Sequence, residues 1–309
     1  MIGCGHRGRL AMSELLLATV LLSACGGTQP TPSSADTKRP EVPTTPAKSD
    51  DSGSLSALRE KLARGEKLDA LNLSAKAFGP KLGTVLADAP ALATLTTLNV
   101  SDNDLDAEGA RALARAAQLQ ALRELDLGGN DLGDEGVEAI AHATAWAGLE
   151  TLNLSGNSIG IAGVTALARG SLSRLSSLDL SMNGIADAGI AALLDGELSL
   201  TSLYLLGCEI GPAGAKTLAQ AKQSSKLELL ALSGNSLGDD GARALAQSPA
   251  LQNLQTLDLC ANGIGDPGAL ALAQSSQLKK LKVLELCGNE IGSRSATALR
   301  NRYGAGLHL

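Results

Sequence analysis

The chain has 309 residues, enough for one large domain or two ordinary ones, with 26 basic and 32 acidic side chains and a formal charge of −6. That charge has the wrong sign for a phosphate backbone, which argues against a nucleic-acid partner. Phe78, Trp146, Tyr204 and Tyr303 are the only aromatic residues. They are too few for an irregular core of this size, but a core that buries the same Leu and Ala in every unit does not need more.

At the start, Arg7 and Arg9 precede the apolar run Leu15-Leu16-Leu17-Ala18-Thr19-Val20-Leu21-Leu22. Eight residues fall far short of the roughly 20 that span a bilayer, so residues 1–24 are expected to be a signal peptide, with Glu14 a blemish on it. The run closes on Leu22-Ser23-Ala24-Cys25, which resembles the bacterial lipoprotein box. That resemblance implies that Cys25 carries lipid and becomes the mature N-terminus. Gly26 in place of Asp implies sorting to the outer membrane by the enterobacterial pattern. Removing Arg7, Arg9 and Glu14 leaves 24 basic and 31 acidic residues, or −7. Residues 25–54, with Pro30, Pro32, Pro40, Pro43 and Pro46 among Ser, Thr and Asp, have no apolar period. They are expected to be an unfolded tether that reaches at most ~90 Å when extended.

Leu55, Leu58 and Leu62 have helical spacing and run into Gly65, which predicts an N-terminal cap helix within residues 55–67. From 68 to 309 a single pattern, LxxLxLxxN, starts at Leu68, Leu95, Leu122, Leu149, Leu175, Leu200, Leu227, Leu254 and Leu281. Successive starts are 27, 27, 27, 26, 25, 27, 27 and 27 residues apart. In the unit starting at Leu122, the alternation Leu125, Leu127 predicts a strand with one buried face. Asn130 follows where the chain must turn, and stacking would align it with Asn103, Asn157, Asn183, Asn235, Asn262 and Asn289 in a ladder. An apolar residue comes next, then Asp134, Asp187, Asp239, Asp266 or Ser293, suited to capping the Ala/Leu-rich helix that ends each unit. Pro267 is tolerated in a first turn. Lys76 occupies the asparagine slot of the first unit, and Leu307-His308-Leu309 reads as a truncated last strand.

A period of this length with this consensus resembles leucine-rich repeats of the ribonuclease-inhibitor-like subclass. The fold that follows is an α/β solenoid, a horseshoe with a parallel β-sheet on its concave face and helices on its convex face. In that subclass cysteine is accepted in the ladder, so Cys208 is read as a buried structural residue.

Catalytic chemistry finds no foothold in this pattern, because no unit carries an insertion that could bear a site. His142 and His308 have no partner at metal spacing, and Asp102-Asn103-Asp104-Leu105-Asp106 lacks the glycine and closing glutamate of a calcium loop. Neither metal nor cofactor is expected. The N-x-S triplets at Asn72, Asn99 and Asn153 fall inside strands and are discounted as glycosylation sites. The surface left for function is the concave face, whose central column reads Asn72, Asn99, Asp126, Asn153, Asp179, Tyr204, Ala231, Asp258, Glu285. Most of this is an ordinary solvated face. Beside the shortened units it turns apolar, with Met182, Tyr204, Leu206, Leu229 and Ala231 at outward positions near Asp179 and Asp258. Such a patch is either a protein-binding site or a place where the units tilt and bury it locally. Cys260 and Cys287, one unit apart, should be neighbours about 4.8 Å apart. They are either disulfide-bonded, as an oxidising compartment allows, or free, as the wide Cβ spacing of in-register neighbours favours.

The expected function is a monomeric, membrane-anchored scaffold that binds a protein partner at the bacterial cell envelope. Two other readings stay open. One is a regulator, since the repeat subclass resembles eukaryotic GTPase-activating proteins, although no loop offers an activating arginine. The other is a passive envelope component.

Overall fold

The computed structural model describes residues 54–309. The expected signal peptide, Cys25 and all of the tether except Ser54 lie outside the described residues. Helix α1 (Leu55–Ala63) opens on Ser54, whose Oγ accepts from Ala57 N at 3.2 Å, and it buries Leu58 and Leu62. It stops before the expected boundary at 67 because Gly65 turns left-handed, with φ +72°.

Nine units then alternate strand and helix. The strands are β1 (Ala70–Asn72), β2 (Thr97–Asn99), β3 (Glu124–Asp126), β4 (Thr151–Asn153), β5 (Ser177–Asp179), β6 (Ser202–Tyr204), β7 (Leu229–Ala231), β8 (Thr256–Asp258) and β9 (Val283–Glu285), closed by β10 (Leu307–His308). The helices are α2 (Lys81–Ala87), α3 (Asp106–Ala114), α4 (Gly133–Ala141), α5 (Ile161–Arg169), α6 (Ala186–Leu194), α7 (Pro212–Gln220), α8 (Gly238–Ala246), α9 (Asp266–Ala273) and α10 (Ser293–Tyr303). The ten strands form one sheet in sequence order, and consecutive strands pair in parallel with the repeat in register, as Leu98 opposite Leu125 and Leu203 opposite Leu230. Each three-residue strand buries its middle leucine. That residue, the leucine two positions later and the helix leucine such as Leu113 or Leu245 form a continuous core between sheet and helices. Each fully buried leucine contributes about 1.5–3 kcal/mol, and the stack repeats that gain unit by unit.

The asparagine ladder is the polar counterpart of this core. Asn130 Nδ2 donates to Val100 O, Leu127 O and Gly128 O at 2.9–3.2 Å, and its Oδ1 accepts from Asn103 N and Leu105 N at 3.1 and 3.2 Å. One side chain thus satisfies backbone groups of its own turn and of the turn before it. Asn103, Asn157, Asn183, Asn235, Asn262 and Asn289 do the same. At Cys208 the ladder is thinner. Its thiol donates to Leu180 O at 3.2 Å, and the amides of Asn183 and Met182 face the sulfur while burial pushes the thiol up to about 12.

The capping aspartates do something other than expected. Asp134 lies inside α4, yet its Oδ1 accepts from Gly160 N at 2.7 Å and Gly163 N at 2.9 Å, at the start of α5. Asp239 does this for Gly265 and Gly268, Asp187 for Gly211, and Asp266 for Gly292. Each cap therefore crosses to the next unit and satisfies the orphan N–H groups of a neighbouring helix. Gly163 is needed for this approach, since a Cβ there would stand 2.7 Å from Asp134 Oδ1. Ser293 caps nothing; it is the first residue of α10, behind Gly292.

The missing residues of the two shortened units come out of the helix-to-strand returns that lead into β5 and β6. The preceding returns carry a 3-10 turn, as at Thr144–Trp146, while the segments from Gly170 and from Gly196 run directly to the next strand. Gly196 packs on the end of α5 so closely that a Cβ would meet Ala168 O at 2.2 Å.

Candidate interaction surface on the inner face of the sheet

Because each strand buries its middle leucine, the residues on either side of it face the inside of the curve. Each central-column Asn or Asp turns back on its own strand end, where its Oδ1 accepts the N–H two residues on. The contacts are Asn72 with Ser74 at 2.9 Å, Asn99 with Ser101 at 2.9 Å, Asp126 with Gly128 at 3.0 Å, Asn153 with Ser155 at 2.9 Å, Asp179 with Ser181 at 2.8 Å and Asp258 with Cys260 at 2.9 Å. These side chains terminate the strands. They also link sideways, since Asn99 Nδ2 and Asn153 Nδ2 donate to the two oxygens of Asp126 at 3.1 and 2.8 Å. At the far end Glu285 Oε1 meets His308 Nδ1 at 2.5 Å.

This arrangement corrects the expectation of a solvated column. Asp126, Asn153, Asp179, Asp258 and Glu285 are all buried. Concave curvature and in-register neighbours on both sides crowd the column, and the turn bonds draw each side chain down against the backbone. Burial raises the carboxyl of Asp126 above the usual carboxylate range, against the pull of Gly128 N–H and the Asn153 amide. Burial likewise raises Asp179, against Ser181. Asp258 is pushed up to about 6 by burial, held back by Cys260 N–H and raised further by the neighbouring charge of Glu285.

The strand-ending bond is interrupted at Tyr204 and Ala231, which have no side-chain oxygen at that position. Tyr204 is 2% exposed and Ala231 is also buried, so neither is the open anchor expected from sequence. The tyrosine ring occupies the column between small neighbours, opposite Asp179 on β5 and Ala231 on β7. Its phenol is raised to about 12, by burial first and by the charge of Asp179 second. Tyr204 belongs to the floor of the surface.

What remains open to solvent is Met182 at 69% exposure, with Leu206 half-buried in the adjoining unit and Leu229 half-buried two strands away at the start of β7. Met182 adopts a left-handed φ of +58° just past β5, and its Sδ lies over Gly207 of the next unit. Leu229 begins β7 opposite Ser202 and Thr256. The structure thus separates the expected patch into an apolar lip of Met182, Leu206 and Leu229 and a buried floor of Tyr204, Ala231, Asp179 and Asp258. Two strands further on, Cys260 and Cys287 are joined as a disulfide with Cα atoms 4.6 Å apart. The expected obstacle of Cβ spacing does not apply, because both lie just beyond the strand ends, with Cα atoms near the short limit for bonded pairs.

Sequence reasoning missed the strand-ending role of the column. An Asn or Asp followed two residues later by Ser or Gly, repeated at the ends of β1 to β5, is the signal for it. Among the described residues no group of three or more His, Cys, Asp or Glu is placed to hold a metal ion, and no helix is long and apolar enough to cross a membrane.

Seven stretches of the chain, residues 91–114, 118–141, 149–168, 173–194, 198–219, 223–246 and 250–273, match the family of Leucine Rich repeats, just over half of the sequence. No curated protein matches. Among solved structures, a chain from the crystal structure of the Rad7 and Elc1 complex in yeast is similar at 20% identity and a TM-score of 0.46. The match covers 79% of this chain and 72% of that one.

Proposed function

Since this chain belongs to the leucine-rich-repeat family, whose repeats generally mediate protein–protein interaction and are typically non-enzymatic, we propose that it is a binding scaffold. The apolar lip of Met182, Leu206 and Leu229 receives the protein partner. The observation that carries this reading is the exposure of Met182 on a face whose central column from β1 to β5 is Asn or Asp tied into the strand ends. An apolar lip over a rigid floor offers desolvation at little ordering cost, as binding hot spots require. In this reading the scaffold is held at the bacterial cell envelope by lipid on Cys25, with residues 26–54 as its tether. The support is the segment Leu22-Ser23-Ala24-Cys25.

Two variants test the two halves independently. Met182→Ser/Leu206→Ser/Leu229→Ser should abolish capture of a discrete envelope protein by the immobilised domain while the melting curve stays in place. Unchanged capture would remove the lip from the account, and the absence of any discrete partner of the wild-type domain would favour a passive spacer. Cys25→Ala should move the folded protein from the membrane fraction to the soluble one, and retention on the membrane would end the anchor reading.

A further inference from the structure

The two sulfurs near the C-terminal end of the inner face take no part in the surface just described. Cys260 and Cys287 follow the third leucines of the eighth and ninth units, where the preceding unit has Ser233 and earlier ones have Ser181, Ser155 and Gly128. Leu206 holds the same position in the sixth unit, so the fold does not ask for cysteine there. Strands β8 and β9 are already held by parallel pairing and by Asn289 Oδ1, which accepts from Asn262 N and Ile264 N at 3.0 Å. The bond between the two sulfurs therefore joins units that the repeat already joins.

Its two ends are unlike. Cys260 is 3% exposed, and its sulfur receives the Cys287 backbone N–H at 3.1 Å. Cys287 is half-buried and faces the open concavity. A thiolate can reach Cys287, and the sulfur it would expel already has a donor in place to stabilise negative charge. The carboxylates of Asp258 and Glu285, two residues before each cysteine, oppose that charge and slow the step without blocking access.

We propose that Cys260–Cys287 is a thiol–disulfide exchange site that accepts an external dithiol at Cys287 Sγ. One thiolate of the dithiol forms a bond to Cys287 Sγ, the protein S–S bond breaks, and its electron pair leaves on Cys260 Sγ, which then takes a proton from water. The second thiol of the reagent, deprotonated, attacks the reagent's own sulfur in the mixed disulfide and releases Cys287, which is protonated in turn. Two electrons and two protons pass to the protein, and the dithiol becomes a disulfide.

The test uses the full chain purified without reductant, with dithiothreitol to follow bond opening and glutathione to trap the mixed disulfide for mass mapping after acid quench. Opening is expected in native buffer with the circular dichroism spectrum unchanged, the glutathione adduct on Cys287, and Cys208 unlabelled. Opening only above the denaturant concentration that unfolds the domain would overturn the proposal, as would an adduct on Cys260 or free thiols mapped to both Cys260 and Cys287 at the outset. As a second measurement, Cys287 in Cys260→Ser should react with glutathione disulfide at least ~10-fold faster than Cys260 in Cys287→Ser. Equal rates in two folded variants would equally overturn it.

Discussion

The second to fourth units and the fifth to seventh are built on one repeat, yet they treat the inside of the horseshoe differently. In the earlier group the central column is Asn99, Asp126 and Asn153, mutually bonded and each ending its own strand, above an unbroken asparagine ladder. In the later group Tyr204 and Ala231 break the column, Cys208 thins the ladder, and Met182 and Leu229 bring apolar surface to the rim. The returns into β5 and β6 are also shortened. The first region spends its polar side chains on holding strands together. The second has given up some of that bonding and carries the face best suited to a partner. In the proposed reading the partner takes up a local departure from the repeat's own grammar.

The sharpest way to break this comparison is to remove one rung from each region. Asn157→Ala orphans the buried donors Asn130 N and Leu132 N, and takes one bond each from Leu127 O, which keeps Asn130 Nδ2, and from Ser155 O, which keeps Gly129 N. With each orphan costing about 1–3 kcal/mol, the loss should reach about 3 kcal/mol or more by chemical denaturation. Cys208→Ala should cost about 1 kcal/mol, the scale of one hydrogen bond. Asn153→Ala, which loses a strand-ending bond and a bond to Asp126, should also cost about 1 kcal/mol. Equal midpoints for Asn157→Ala and Cys208→Ala would mean that the ladder carries no special weight.

Next in size is Tyr204. As a buried floor residue it should lose about 2–4 kcal/mol on replacement by Ala. Tyr204→Phe should stay within about 0.5 kcal/mol of wild type, because the ring fills the gap and the hydroxyl has no hydrogen-bond partner among the described residues. A melt unchanged by Tyr204→Ala would put the ring back in solvent.

A smaller effect separates charge from bonding at Asp258. Its carboxyl titrates at about 6 in the folded protein, above the unfolded value of ~3.9. The folded state therefore binds the proton more tightly, and this group costs stability as pH rises through 6. Asp258→Asn keeps the acceptor for Cys260 N, as the Asn of other units does, and removes the charge. It should stabilise the domain by about 2 kcal/mol at pH 7.5, with the gain shrinking as pH falls through 6 towards 4. A gain independent of pH would contradict the buried-charge reading.

The periodic part of this molecule was legible because its physics is local and repeated. Leu125 and Leu127 alternate in two-residue steps, Asn130 recurs every unit, and Gly65 ends the cap helix. Apart from the strand-ending bonds of the column, what could not be read was set by neighbours 24 to 29 residues away. Asp134 looks like a cap for its own helix and serves the next one. The alternation that correctly turned Tyr204 inward on the concave face says nothing of how tightly curvature closes the column around it. The lip survives because Met182 lies beyond the strand, in a left-handed turn that lifts it out. The disulfide hinged on a Cα separation of 4.6 Å, a detail of the strand ends that the sequence does not encode directly.

The central claim is that partner binding is confined to the departure from the repeat. A photo-crosslinking amino acid placed at Met182, and separately at Thr151 on the same face of β4, tests it in intact cells. The account predicts a discrete, saturable adduct from position 182, lost when Leu206→Ser and Leu229→Ser are added, and none from position 151. The same adduct from both positions, or an adduct from 151 alone, would contradict it.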